Sequence, residues 1–232
     1  MANWFLGRAL AEEAEAKNAA WSFLGEGVTF WVTVAMLLVV GVAVYLVTRK
    51  KSNKKSFWTA KTMAVGAMCM ALSSVLSLIK LWPMPMGGSV TPASMLPLLL
   101  FAYCYGVGPG MVLGALYGVM QFLLDGMAWA ALGAIPNLLD YPIAFGLLGL
   151  AGCFRGSKAK MTAGFVLGCF GRFMASFLSG FIFYGQYAPE GVNPVWYSLT
   201  YNGSYMLVEC IICIALGLLV GERLAKELKK VA

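Results

Sequence analysis

Two ionisable side chains of opposite sign sit deep within long apolar stretches of the sequence. Arg172 lies in GRFMASFLSGFIFY (171–184) and Glu209 in YMLVECIICIALGLLV (205–220). If the two helices start at 161 and 197, Arg172 and Glu209 are 11 and 12 residues in. At ~1.5 Å per residue, both then fall near the middle of a bilayer. Charged groups at that depth are expensive and face a partner or a polar cavity. The pair predicts an ion bridge that either staples two helices or lines a site.

Residues four apart share a helix face. Arg172, Ser176, Gly180 and Tyr184 therefore form one stripe. Ser198, Asn202, Tyr205 and Glu209 form another, edged by Tyr197 and Tyr201. On antiparallel neighbours the two stripes face each other. An interfacial aromatic belt accounts for Tyr187 and Trp196, but Asn202 requires a buried polar partner, which favours a pocket. A further carboxylate stands in IPNLLDYPIAF (135–145), where Pro136 and Pro142 bracket Asp140 and Tyr141. With the loop tryptophans Trp82, Trp129 and Trp196, these residues predict an open site with one anion and several π faces. Such a site suits a small aromatic cation, which an aromatic face attracts by ~2 kcal/mol or more when water is excluded.

Other chemistries are excluded by what the chain lacks. It has no histidine and no GxxxxGK[ST] phosphate loop, so neither a histidine-based triad nor ATP hydrolysis is expected. Cys69, Cys104, Cys153, Cys169, Cys210 and Cys213 are scattered through apolar segments. The CxxC at 210–213 has no partner ligands, so small buried thiols are expected, with no metal and no cofactor. A carrier of this kind draws its energy from a partner. Ala67 and Ala71 form a small-xxx-small pair that permits close helix approach, either to a partner or within the chain.

The elements that must position these residues follow from composition. Of the 232 residues, 60% are hydrophobic and 12% charged, with mean hydropathy +0.78, which marks an all-α integral membrane protein. The net charge of +7 is gathered between apolar runs, where it orients helices rather than binding nucleic acid. Gly27–Thr48 is a first span, followed by the basic connector TRKKSNKKSFWTAK (48–61). Six more spans are predicted at 62–79, 92–105, 108–124, 137–154, 161–184 and 197–220. RGSKAK (155–160) and ERLAKELKK (222–230) share the connector's side, whereas the loops 80–91, 125–136 and 185–196 carry only Lys80, Asp125 and Glu190. The positive-inside rule then puts the N-terminus outside and the C-terminus in the cytoplasm. Two regions result: an N-terminal extension, 1–61, and a six-helix membrane domain, 62–232.

Over about 62–225 the sequence resembles the thiamine-specific substrate-binding (S) components of energy-coupling factor transporters, the ThiT family. The resemblance rests on ALSSVLSLI (71–79), GGSVTPASMLPLLLFA (87–102), LLDYPIAFGLLGLAG (138–152), GRFMASFLSGFIFYGQYAPEG (171–191) and NPVWYSLTYNGSY (193–205), in matching order and spacing. It implies a six-helix bundle whose outward-facing pocket binds thiamine beneath the loop joining the first two helices. Asp140, Tyr197 and Asn202 then face the pyrimidine, and Tyr184 stacks on the thiazolium. Tyr141, Arg172 and Ser176 complete the site, with loop 80–91 as lid and Trp82 as its cover. Ala67 and Ala71 match the family's docking motif for a transmembrane coupling protein bearing two ATPase subunits.

The sequence departs from the family where Ser176 replaces a common histidine, Tyr184 a common tryptophan and Asp140 an occasional glutamate. The extra first span is also unusual. The departures bear on ligand choice and keep a second reading open, a carrier of a thiamine precursor or related pyrimidine. An intramembrane enzyme or redox protein using Arg172, Glu209, Cys210 and Cys213 is a distant third, weakened by the lack of histidine. A purely structural scaffold leaves the two polar stripes unexplained.

Overall fold

A computed structural model describes residues 58–85, 87–126, 133–189 and 191–231. The span at 27–48, nearly all of its connector, and Trp129 lie outside the described residues.

Helix α1 (Ala60–Leu78) begins where Thr59 and Thr62 exchange backbone-to-side-chain hydrogen bonds. The Thr59 hydroxyl accepts from the Thr62 N–H (3.2 Å), and the Thr62 hydroxyl accepts from the Thr59 N–H (2.9 Å). This reciprocal cap satisfies donors that a helix start leaves free. The chain then crosses an end of the bundle as a short antiparallel hairpin, β1 (Trp82–Pro83) with β2 (Ser89–Val90), paired Trp82 to Val90.

The second predicted span is shorter than expected. Helix α2 covers only Leu96–Tyr105, and nine of its ten residues are buried. At ~1.5 Å per residue it is about 15 Å long, half a bilayer, and its all-round apolar surface is that of a core helix rather than a lipid-facing one. Residues 92–95, expected inside the span, instead form bends and turns that, with Thr91 just before them, present the Thr91 and Ser94 hydroxyls.

Helix α3 (Val107–Gln121) continues as a wide π turn, Phe122–Gly126. Its Gly110, Gly114 and Gly118 lie on one face, where an added Cβ at Gly114 or Gly118 would collide with the carbonyl of Phe145 or Tyr141. Small residues at this spacing bring two backbones into direct contact and so fix Tyr141 and Phe145 in place.

The fourth span, Ala134–Cys153, is not a uniform helix. It runs as α4 (Ala134–Leu138), a π turn (Leu139–Ile143), α5 (Ala144–Leu147) and a 3-10 segment (Leu148–Cys153). Pro142 has no N–H to donate, so the ladder widens there, and Asp140 and Tyr141 sit in the widened turn.

Helix α6 (Lys158–Phe183), capped by Ser157, and α7 (Pro194–Leu216), capped by Asn193, pack as neighbours. A π turn, Gly217–Gly221, leads from α7 into α8 (Glu222–Val231), which folds against α2 where the Tyr105 hydroxyl donates to the Leu228 carbonyl (2.6 Å). Among the described residues five helical runs are long and apolar enough to cross a membrane, with α2 between them. Arg155, Lys158, Lys160, Arg223 and Lys226 are all exposed at one end, hereafter the basic end, where Lys158 approaches Glu222. The hairpin and the α6–α7 turn occupy the opposite end. The core is centred on α2 through Leu98, Leu99 and Phe101, packed with Tyr117 of α3 and Phe165 of α6.

Candidate functional site

The two stripes expected from helical spacing meet. Arg172, Ser176, Gly180 and Tyr184 of α6 and its C-cap, and Ser198, Asn202, Tyr205 and Glu209 of α7, line one cavity of ≈ 130 Å³. A single water occupies roughly 10–15 Å³ on that measure, so the space suits a small organic molecule. Asp140, Tyr141 and Tyr197 line the same cavity.

Close contact between α6 and α7 is possible because Gly180 has no side chain, as a Cβ there would strike the Ser198 hydroxyl. Asn202 stitches the seam. Its amide nitrogen lies 3.3 Å from the Ser176 carbonyl, 3.1 Å from the Ser198 carbonyl and 3.2 Å from the Ser198 hydroxyl, and its oxygen accepts from the Tyr205 hydroxyl (3.1 Å). The buried partner that Asn202 required is therefore the neighbouring helix. Its amide acts first on the shape of the pocket.

Asp140 is held from behind. The wholly buried Ser179 donates to Asp140 Oδ2 (2.8 Å), and Ser176 and Tyr184 line the cavity beside it. Among the described residues no lysine or arginine forms an ion pair with Asp140. The other two acids of the lining are compensated: Lys80 binds Asp125 at 2.8 Å, and Arg172 faces Glu209. Among the described residues the cavity therefore holds one carboxyl group with no cation paired to it, surrounded by tyrosines. Tyr197, Tyr201 and Tyr205 stand one above the other at 6.1 and 5.9 Å between centroids.

The predicted Arg172–Glu209 bridge is looser than expected. Arg172 Nη1 is 4.0 Å from Glu209 Oε2, too far for a hydrogen bond. Glu209, 1% exposed, instead accepts at Oε1 from the hydroxyls of Thr91 and Ser94 (the latter at 2.8 Å). Arg172 lies over the Phe145 ring, 4.1 Å from its centroid. Ser94 and Phe145 were missed at the sequence level because each reads as part of an apolar span, and Thr91 because it reads as the end of the covering loop. A hydroxyl pair three residues apart across the start of a span was the one available signal.

The hairpin covers the cavity with backbone rather than with an indole. Gly87, Gly88 and Ser89 line the cavity, and the Gly88 N–H donates to the Tyr201 hydroxyl (3.2 Å). Trp82, expected as the cover, is 67% exposed and outside the lining, because Gly88 lies so close to Tyr201 and Tyr205 that no large ring fits between. Trp196, 64% exposed, is outside it too. Ala67 and Ala71 are away from the cavity, on an exposed face of α1 shared with Met63, Met68 and Leu72.

Among the described residues no group of histidine, cysteine or acidic side chains can hold a metal, and the six cysteines are free. A membrane-embedded cavity with one unpaired acid and a wall of tyrosines has the chemistry of a receptor for an aromatic cation. Over residues 63–228 the sequence matches the family model described as thiamine transporter protein (Thia_YuaJ). The chain belongs to the thiamine transporter family. It is 38% identical over 144 residues to the thiamine transporter ThiT of Bacillus subtilis, covering 56% of this chain and 73% of that protein. It is 30% identical over 180 residues to ThiT of Lacticaseibacillus paracasei, covering 71% and 86%. The solved structure of ThiT from Listeria monocytogenes superposes with a TM-score of 0.63 at 21% identity, over 72% of this chain and 96% of that one, a likeness of fold. The matched relatives are named as thiamine transporters, and the helical fold with its apolar, membrane-length runs agrees with them.

Proposed function

We propose that this chain binds thiamine as the substrate-capture subunit of an ATP-driven importer. The observation that carries the reading is the uncompensated Asp140 carboxylate in a tyrosine-walled cavity. Thiamine offers a cationic thiazolium for the π faces and an exocyclic amine for a carboxylate acceptor. In this reading Asp140 and Tyr197 hold the pyrimidine, Tyr184 stacks on the thiazolium, and Tyr141 and Ser176 close the walls. Asn202 holds the α6–α7 seam against which the pyrimidine lies.

The hairpin that borders the cavity lies at the end opposite the basic one, so the positive-inside rule directs that end outward and the C-terminus to the cytoplasm. With no nucleotide-binding loop in its sequence, the subunit draws energy from a transmembrane coupling protein with two ATPase subunits. The exposed Ala67/Ala71 face of α1 supplies a surface flat enough for that contact.

Tyrosine and tryptophan fluorescence of the purified protein, followed during thiamine titration beside a pyrimidine precursor and thiamine phosphates, tests the reading. Saturable quenching at low thiamine concentration is expected, weakened in Asp140→Asn. A response to the pyrimidine precursor alone would move the substrate, and silence to every ligand would overturn the proposal.

A further inference from the structure

The wall of the cavity built by α1 and α3 holds a buried amide that belongs to neither polar stripe. Gln121, the last residue of α3, lines the cavity and is 9% exposed. Its oxygen is already engaged. The Tyr117 hydroxyl, one turn earlier on α3, donates to Oε1 (3.1 Å), and the Ser77 hydroxyl of α1, which also reaches the Ser74 carbonyl (2.8 Å), lies 3.2 Å from the same oxygen. A carboxamide is planar and carries two N–H donors beside its oxygen, so holding Oε1 also sets the direction of Nε2. Among the described residues nothing accepts from Nε2.

The surroundings define what those donors can take. A buried donor left unpaired is costly, so Nε2 needs an acceptor once a ligand displaces water from the cavity. Asp125, four residues on in the π turn, is paired with Lys80 at 2.8 Å, and Arg172, the one cation in the lining, faces Glu209 from α6. An anionic group at Gln121 would therefore find no free cation at this wall, whereas an uncharged acceptor needs none. An amide also donates without bearing charge, so it bonds a cationic ligand without repelling it.

The amide is fixed relative to the acid. Gly118, one turn before Gln121, lets α3 press on the Tyr141 carbonyl, and the Phe122 and Tyr141 rings meet edge to face at 5.5 Å between centroids. Gln121 and Asp140 flank these contacts on adjoining elements, one offering donors and the other an acceptor.

We infer that the Gln121 amide donates to an uncharged acceptor atom of the bound ligand. It is then a specificity-determining residue, which with Asp140 selects heteroaromatic cations carrying both an N–H donor and a neutral acceptor. The inference rests on the thiamine reading and goes one step past it. Thiamine carries two kinds of uncharged acceptor, the pyrimidine ring nitrogens and the hydroxyl oxygen of its side arm.

Equilibrium titrations of wild-type protein and Gln121→Met test the contact. The ligands are thiamine, two analogues in which one or the other pyrimidine ring nitrogen is replaced by C–H, and one lacking the hydroxyl. One analogue is expected to bind wild-type protein about 5- to 100-fold more weakly than thiamine, the loss that follows when a buried donor is left unpaired. Gln121→Met is expected to bind that analogue and thiamine within about 3-fold of each other, because the acceptor no longer has a donor to lose. The analogue that behaves so identifies the atom. A merely structural Gln121 would weaken all four ligands alike, and if every analogue keeps its wild-type penalty in the variant, the inference is overturned while thiamine binding stands. Should Gln121→Met fail to fold, Gln121→Asn, which keeps the amide but withdraws it by one methylene, is read in the same way. Wild-type protein that binds no thiamine removes the parent reading and this inference together.

Discussion

Glu209, in the middle of the last membrane helix, accepts a hydrogen bond from Thr91, which lies 118 residues earlier in the chain at the stem of the hairpin that covers the cavity. Ser94 bonds the same oxygen, so the covering loop is fastened to α7 at the base of the site as well as through Gly88 and Tyr201 at its tip. Removing a buried carboxylate that serves both a cation and two hydroxyls is costly. Glu209→Ala is expected to destabilise the protein by about 3–5 kcal/mol, with Thr91→Val losing ~1–3 kcal/mol. Thermal unfolding in detergent checks this, and a Glu209→Ala midpoint equal to wild type would show that the anchor carries no weight.

The uncompensated acid gives the second expectation. Asp140→Asn keeps the shape and removes the charge, so thiamine affinity should fall by ~1.5–3 kcal/mol with little change in thermal stability. Titration calorimetry on folded protein measures the first, and an unaltered Kd would exclude Asp140 from cation binding.

Asn202 behaves differently, because its amide is committed to the α6–α7 seam. Asn202→Ala is expected to lower thiamine affinity by ~1–3 kcal/mol and stability by a similar amount, since the loss frees buried groups on both helices. Affinity and unfolding midpoint measured on one preparation test this. A variant of full stability and weak binding would instead make Asn202 a direct ligand contact.

At the hairpin tip, an added Cβ on Gly88 would come within 2.8 Å of the Tyr205 ring. Gly88→Ala should therefore loosen the cover and speed thiamine release several-fold or more, an effect of ~1–3 kcal/mol for a forced misfit. Stopped-flow dissociation is the measurement. Release at the wild-type rate would mean that the hairpin does not retain the ligand.

Much of the architecture was legible because membrane helices impose a period of 3.6 on their polar faces. Arg172 to Tyr184 and Ser198 to Glu209 stand on facing stripes as that period requires. Breaks in the period hid the rest. The 92–105 segment reads as a span, yet its first residues turn, and Ser94 among them joins Thr91 just before them in bonding Glu209. A tryptophan in the covering loop reads as a cover, yet glycine does that work because the tyrosine wall stands too close for a ring. The role of Ser179 was invisible, since a serine one residue off the polar stripe looks like ordinary small-residue packing until Asp140 is found bonded to it.

The π turn at Leu139–Ile143 has a consequence for inheritance of the binding function. A helix advances by about 100° per residue, so deleting one residue here would swing Asp140 by that angle relative to Phe145 while leaving every side chain of the site in the chain. The receptor would keep its ingredients and lose its polarity. Binding thus depends on the length of this segment as well as on its residues, and tolerance to substitution at Leu139 or Ile143 would coexist with intolerance to a single-codon gap.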